Sequence, residues 1–373
     1  MKRHQRNGNI ELLRFIFAVC IMLFHADMAF DSGYLGVEFF LILTGYFLGR
    51  KICAHRDTEI SWTGAFREST HELLKRYFSI FPYLLPSTVI GFIIQCVIDY
   101  KTPEVILKSM KFLVGDFLLV QYFALPTDSA TGVVWYLGAM LYALWLLYPL
   151  LRKAWSAFLY IAPVISLTIT GILLYQCGSL NVPNTVLFGW INTGFLRAIS
   201  AISAGVFLFA LQNLFQEHLR QNLLPVQGRV LVTILEILLY VSVFQHMNAS
   251  ADDSGASDGI ALFALSAAFF CTVSRQSFSY GLFDNAFCRF LGQFSIPLFL
   301  NHYYWVVNRQ ALLDLMHIQC SDAMTNLAAI TLTVLTSTLV MFTGKMIGKQ
   351  IKKIRQSSIF AGHQFRLSPD TRV

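Results

Sequence analysis

Charge is scarce in this chain. Asp, Glu, Lys and Arg make up 13% of its 373 residues, against about 25% in soluble domains. That deficit, beside 55% hydrophobic residues, excludes an ordinary soluble protein and a disordered one. A cysteine framework is missing too. The seven cysteines are scattered, mostly through apolar segments, with no CxxC or Cys/His ligand spacing. They read as small hydrophobes, so neither a disulfide scaffold nor a metal site is expected. No HExxH, Walker or GxGxxG pattern occurs, which leaves the enzyme classes those motifs mark without support. Internal repeats, low-complexity tracts and a separate soluble domain are also absent. The net charge of +7 arises from cations collected in alternate loops, as orientation in a membrane requires. No basic run carries a nucleic-acid motif, so the expected partner is a lipid bilayer and not nucleic acid.

What is present is a succession of apolar runs, which predicts an all-α, polytopic membrane bundle. The amino end, MKRHQRNGN, is basic and precedes an apolar run without a small-x-small site, so it reads as an uncleaved first span. Spans are expected over 10–30, 34–52, 77–98, 133–151, 158–176, 186–211, 230–246, 260–273, 290–307 and 324–347. The run 112–125 is about 14 residues long, whereas crossing takes about 20, so it reads as a short re-entrant piece. Counted that way, Arg152 and Lys153 and the cationic loops after them fall on one side. The result is ten spans with both termini cytoplasmic, residues 1–356 forming the membrane domain and 357–373 a short polar tail.

Ionisable residues inside these runs are the candidates for function. Arg14 and His25 are eleven positions apart, which at about 100° and 1.5 Å per residue places them on one helix face roughly 16 Å apart. An intramembrane cation is costly, so two ionisable groups on one stripe point to a polar cavity; snorkelling of Arg14 to the headgroups is the plainer alternative. Glu38 follows the turn after the first span. Counted from that turn it shares a level with His25, close enough in depth to orient an imidazole acting as general base; an ion pair joining the two helices is the structural alternative. At the start of the third span stands KRYFSIFPY, 75–83, with Arg76 as a candidate substrate-binding cation or an ordinary positive-inside anchor. Trp135 lies near the mouth of its span as a candidate stacking surface or an interfacial tryptophan. His302, near the end of a late span, is a candidate ligand contact or a packed histidine.

Taken together, five segments resemble acyltransferase family 3, polytopic bacterial membrane enzymes acting on cell-surface glycans. LRFIFAVCIMLFH carries that family's Arg-x10-His signature at Arg14 and His25. GYLGVEFFLILTGYFL is similar to its Gly- and Phe-rich second segment with an acidic residue at Glu38. KRYFSIFPY, WYLGAMLYALWLLYP and FLGQFSIPLFLNH resemble its third, fourth and late segments. Two positions depart from the pattern: Ser79 stands where many members have a second arginine, and Met140 where many have glutamate. The resemblance implies a membrane-bound O-acyltransferase in the bacterial cytoplasmic (inner) membrane, using acyl-CoA, acetyl-CoA in particular, as donor substrate with no bound cofactor. The implied acceptor is a sugar hydroxyl of a glycan or lipid-linked sugar. Catalytic roles then fall to His25, Glu38 and Arg14, and substrate contacts to Arg76, Trp135 and His302. A transporter or flippase using the same polar stripe, or an acyltransferase acting on a lipid or small molecule, remains open at this point.

Overall fold

The computed structural model describes residues 7–55, 58–99, 102–120, 129–182, 185–249 and 254–364. Among these residues thirteen α-helices run in order: α1 (Gly8–His25), α2 (Gly36–Cys53), α3 (Trp62–Ile98), α4 (Pro103–Leu118), α5 (Val134–Lys153), α6 (Trp155–Cys177), α7 (Thr193–His218), α8 (Val226–Met247), α9 (Ser254–Val273), α10 (Ser279–Leu282), α11 (Ala286–Val307), α12 (Arg309–Leu315) and α13 (Asp322–Gln364). Several begin where the sequence supplies a cap. The side chains of Asn7, Ser61, Thr102, Asn192 and Asn285 each accept a hydrogen bond from an amide in the first turn of the helix that follows. Such caps satisfy amides that an apolar surround would otherwise leave unpaired.

Eight of these helices are long and apolar enough to cross a membrane, so the chain is an all-α polytopic membrane protein. The long helices α2 and α11 fall outside that set because they carry polar cargo: Glu38, Arg50 and Lys51 in α2, and Arg289, Asn301 and His302 in α11. Both pack inside the bundle. The apolar stretches of α1, α5 and α7 are 61–72% buried, those of α6 and α8 only 22–28%. The first group forms the interior. The second turns residues such as Leu167 and Leu238 outward, as lipid contact requires.

Two close helix pairs hold the interior together. In α1 and α11, which run parallel, Gly8 lies beside Asn285, Glu11 beside Gly292, and the His25 ring beside that of His302. Helices α2 and α7 are also parallel, with Glu38 at Arg197 and Gly49 at Phe209. Gly45 faces the backbone of Ile202, and Gly205 faces that of Ile42, so tightly that a methyl group on either would collide with a carbonyl. Small residues permit this approach, the usual way helices associate without a hydrophobic drive between them.

The elements differ from expectation in three places. Helix α3 begins at Trp62 and not at 77, because the amphipathic basic segment before the span continues the same helix from its Ser61 cap. The first residues of the expected span 186–211 form a two-stranded hairpin, Val186–Leu187 with Ile191–Asn192. Helix α13 continues to Gln364, past the expected start of the tail at 357. Of the expected re-entrant segment 112–125, the structure describes the entry. The last carbonyls of α4, Phe117 and Leu118, accept from Tyr77 of α3 at 2.8 Å and Tyr142 of α5 at 3.0 Å. Ser129 and Ala130 then donate to the buried carboxylate of Asp116. Residues 121–125 lie outside the described ones.

Candidate active site

All five sequence segments meet at one cavity of about 360 Å³. Its lining includes Glu11 and Arg14 from α1, Phe40 and Thr44 from α2, Glu72, Arg76 and Ser79 from α3, Tyr136 and Met140 from α5, and Ser295 and Phe299 from α11. Arg14 and Arg76, read from separate stretches, therefore face the same space. Each is oriented by a carboxylate about one turn away. Arg14 Nη1 donates to Glu11 Oε2 at 2.8 Å, and Arg76 Nε to Glu72 Oε1 at 3.0 Å. Lys51 of α2 reaches the other oxygen of Glu72. Glu11 fits because Gly292 of α11 has no side chain to displace it. Ser79 and Met140, the two departures from the family pattern, both line the cavity, which makes this wall less charged than the pattern would. Met140 Sδ accepts instead from Thr44 and Tyr136 at 3.4 and 3.6 Å.

An aromatic group closes the side of the cavity toward the far end of α1. The Tyr136, Phe40 and Phe299 rings lie 5.3–6.3 Å apart, and Phe299 stands 5.8 Å from His302. Beyond it His25 and His302 face each other with ring centres 5.3 Å apart and planes inclined by 30°. Tyr303 meets His25 edge-on at 5.0 Å. His302 is fully buried and its Nδ1 lies 2.8 Å from the Phe299 carbonyl. The site thus has a cationic chamber near the Glu72 end of the bundle and a histidine pair near the opposite end, separated by aromatic rings.

Glu38 is not where the sequence placed it. Its carboxylate accepts from Arg197 Nε of α7 at 2.8 Å, with both side chains almost wholly buried. Arg197 also donates to the Tyr34 carbonyl, at 3.4 Å. The α1–α2 contacts, with Gly36 against Phe17 and Ile21 and the Phe39 ring stacked on that of Phe17, set Glu38 nearer the middle of α1 than the level of His25, and its side chain turns toward α7. The expected His25–Glu38 pair is accordingly replaced by a Glu38–Arg197 pair. Trp135 belongs to the same cluster: its ring lies 5.4 Å from the Arg197 guanidinium, while its neighbour Tyr136 lines the cavity.

Arg197 escaped the sequence reading although the signal was present, a lone arginine within TGFLRAISAISAG, where an intramembrane charge demands a partner. Glu72 was missed because it sits in a basic stretch read as a cytoplasmic loop. Among the described residues, no cluster of three or more His, Cys, Asp or Glu side chains could hold a metal ion.

A family model described as an acyltransferase domain matches residues 7–344. No curated protein and no solved structure shows significant similarity to the chain. The match spans nearly the whole chain, and the segments that carry the resemblance are those gathered around the cavity: the chain belongs to acyltransferase family 3 and is a multi-pass membrane acyltransferase.

Proposed function

We propose that the chain transfers a small acyl group, acetyl in the first instance, from acyl-CoA to a sugar hydroxyl of a cell-surface or exported polysaccharide, in the bacterial cytoplasmic membrane. The observation that carries this reading is the pairing of two guanidinium groups in one cavity with a histidine farther along the same α1 face. Arg14 and Arg76 hold phosphate oxygens of the donor, for which a planar guanidinium is well matched. Along α1, Arg14 and His25 are roughly 16 Å apart, a gap that the extended arm of the coenzyme bridges past Phe40, Tyr136 and Phe299. His25 then removes the proton of the acceptor hydroxyl as its oxygen bonds to the thioester carbon. The carbon–sulfur bond breaks, and the leaving thiolate takes the proton from His25. Glu38, Arg197 and Trp135 brace the α2–α7 wall beside this path.

Membranes containing the protein, supplied with acetyl-CoA labelled in the acetyl group and with the host's surface glycans, should pass label into an alkali-labile glycan fraction. Label in extracted lipid instead would make the acceptor a lipid. Acceptor movement across the bilayer without coenzyme A release would make the protein a transporter and end the acyl-transfer reading.

A further inference from the structure

We propose that His302 is the residue that positions His25 as a base, its unprotonated Nε2 accepting the N–H that His25 does not turn toward substrate. This rests on the acyl-transfer reading above. A carbonyl oxygen can only accept, so the short contact of His302 Nδ1 with the Phe299 carbonyl places the hydrogen on Nδ1. Nε2 of the neutral ring is then a bare lone pair. It is buried and has no hydrogen-bond partner among the described residues. Leaving such an acceptor unpaired forfeits the hydrogen bonds it makes in water, a cost that a packed structural histidine would avoid. The polar ring packed against that of His302 belongs to His25, 5.3 Å away centre to centre, and the proposed hydrogen bond forms when the His25 ring turns one N–H toward this lone pair. The carboxylate expected in this role is occupied elsewhere, since Glu38 is bound by Arg197.

A neutral acceptor suits the location. A carboxylate here would need its own counter-ion, whereas an imidazole can be buried uncharged. When His25 takes the acceptor's proton it becomes an imidazolium, and its N–H bond to His302 becomes charge-assisted and roughly twice as strong. The gain appears as the reaction proceeds and not on binding, which is what raises kcat. His302 keeps its own proton on Nδ1 throughout; the proton taken from the hydroxyl passes from His25 to the thiolate.

The test uses the full chain in lipid nanodiscs with acetyl-CoA and the glycan fraction, measuring kcat, KM for acetyl-CoA and melting temperature. Four variants are compared: His302→Leu, His302→Phe, His302→Asn and His302→Gln. Glutamine restores an oxygen near the Nε2 position, while asparagine puts it near Nδ1. Leu, Phe and Asn should lower kcat about tenfold or more with KM little changed, and Gln should recover most of the rate. The apolar variants should melt no lower than wild type, because they remove an unpaired buried acceptor. Should they fail to fold, the Gln-to-Asn ratio of kcat decides alone. Normal turnover in Leu or Phe, or equal loss in Gln and Asn, overturns the proposal. A wild-type protein that consumes no acetyl-CoA refutes instead the acyl-transfer reading on which it rests.

Discussion

Arg197 and Glu38 show how a buried pair is stronger in its breaking than in its presence. Both are almost inaccessible, so Arg197→Leu strands a carboxylate in an apolar wall. Loss of one partner of a buried pair costs about 3–5 kcal/mol, whereas replacing both with apolar groups is often nearly neutral. The single variant should therefore lower the detergent melting temperature sharply, and Arg197→Leu with Glu38→Leu should recover most of the loss; simple addition of the two effects would count against the pair. Arg14→Lys tests the other cationic site. It keeps the charge but loses the planar fork, so apparent affinity for acetyl-CoA should weaken more than affinity for the acceptor. Unchanged donor affinity with lost activity would make the Glu11–Arg14 pair purely structural. Arg14, His25 and Arg76 were legible in sequence because ionisable side chains stand out in or beside apolar runs. The partner of Glu38 was not. Arg197 lies in a helix distant in sequence, and a linear count from a turn gives neither the register of two packed helices nor the rotation of each about its axis.

The spans were legible where charged loops bounded them, whereas the exact helix starts follow caps that hydropathy does not report, as at Ser61 and Asn192. Asn7, Ser61, Thr102, Asn192 and Asn285 are all caps by residue type, and each precedes a helix. Helix pairing was less legible, since it depends on which faces are small. At the α2–α7 contact, Gly45 and Gly205 sit against carbonyls of the opposite helix. Gly205→Leu should force the helices apart, costing about 1–3 kcal/mol or more. It should also shift the wall that carries Glu38. Reduced yield of folded protein and a lower melting temperature are expected, and a variant that melts like wild type would show that the contact tolerates more room than the structure provides. The α3 extension and the short hairpin were hidden for a different reason. Hydropathy reports membrane immersion, and both lie where the chain leaves the apolar layer.

Among the described residues a group of cations marks one end of the bundle, while Arg309 pairs with Asp27 at the other. Lys51 meets Glu72, Arg152 meets Glu68, and Arg275 shares a cavity with Arg50 and Lys51. The other end is tied by the buried carboxylate of Asp258, which accepts from Tyr34, Ser179 and the Leu180 amide. This segregation matches the sign pattern of the loops and places the Arg14–Arg76 chamber toward the end expected to face the cytoplasm. In a background lacking the exposed Cys320 and other reactive thiols, Thr185→Cys and Ser321→Cys should react with an impermeant maleimide in intact cells. Gln221→Cys should react only after lysis; its labelling in intact cells would reverse the orientation. The overall arrangement was legible because the bilayer imposes it, whereas the gathering of five segments on one cavity emerges only from packing. The central claim is that a histidine on α1 does the chemistry that this packing assembles. Its most direct test is the rate of acetyl transfer by purified His25→Ala protein beside wild type, each checked for folding by melting temperature. A positioned base contributes about 10²–10⁴-fold, so the account predicts a fall of that size in a protein that melts normally. A well-folded His25→Ala protein that acetylates its acceptor at close to the wild-type rate would contradict it.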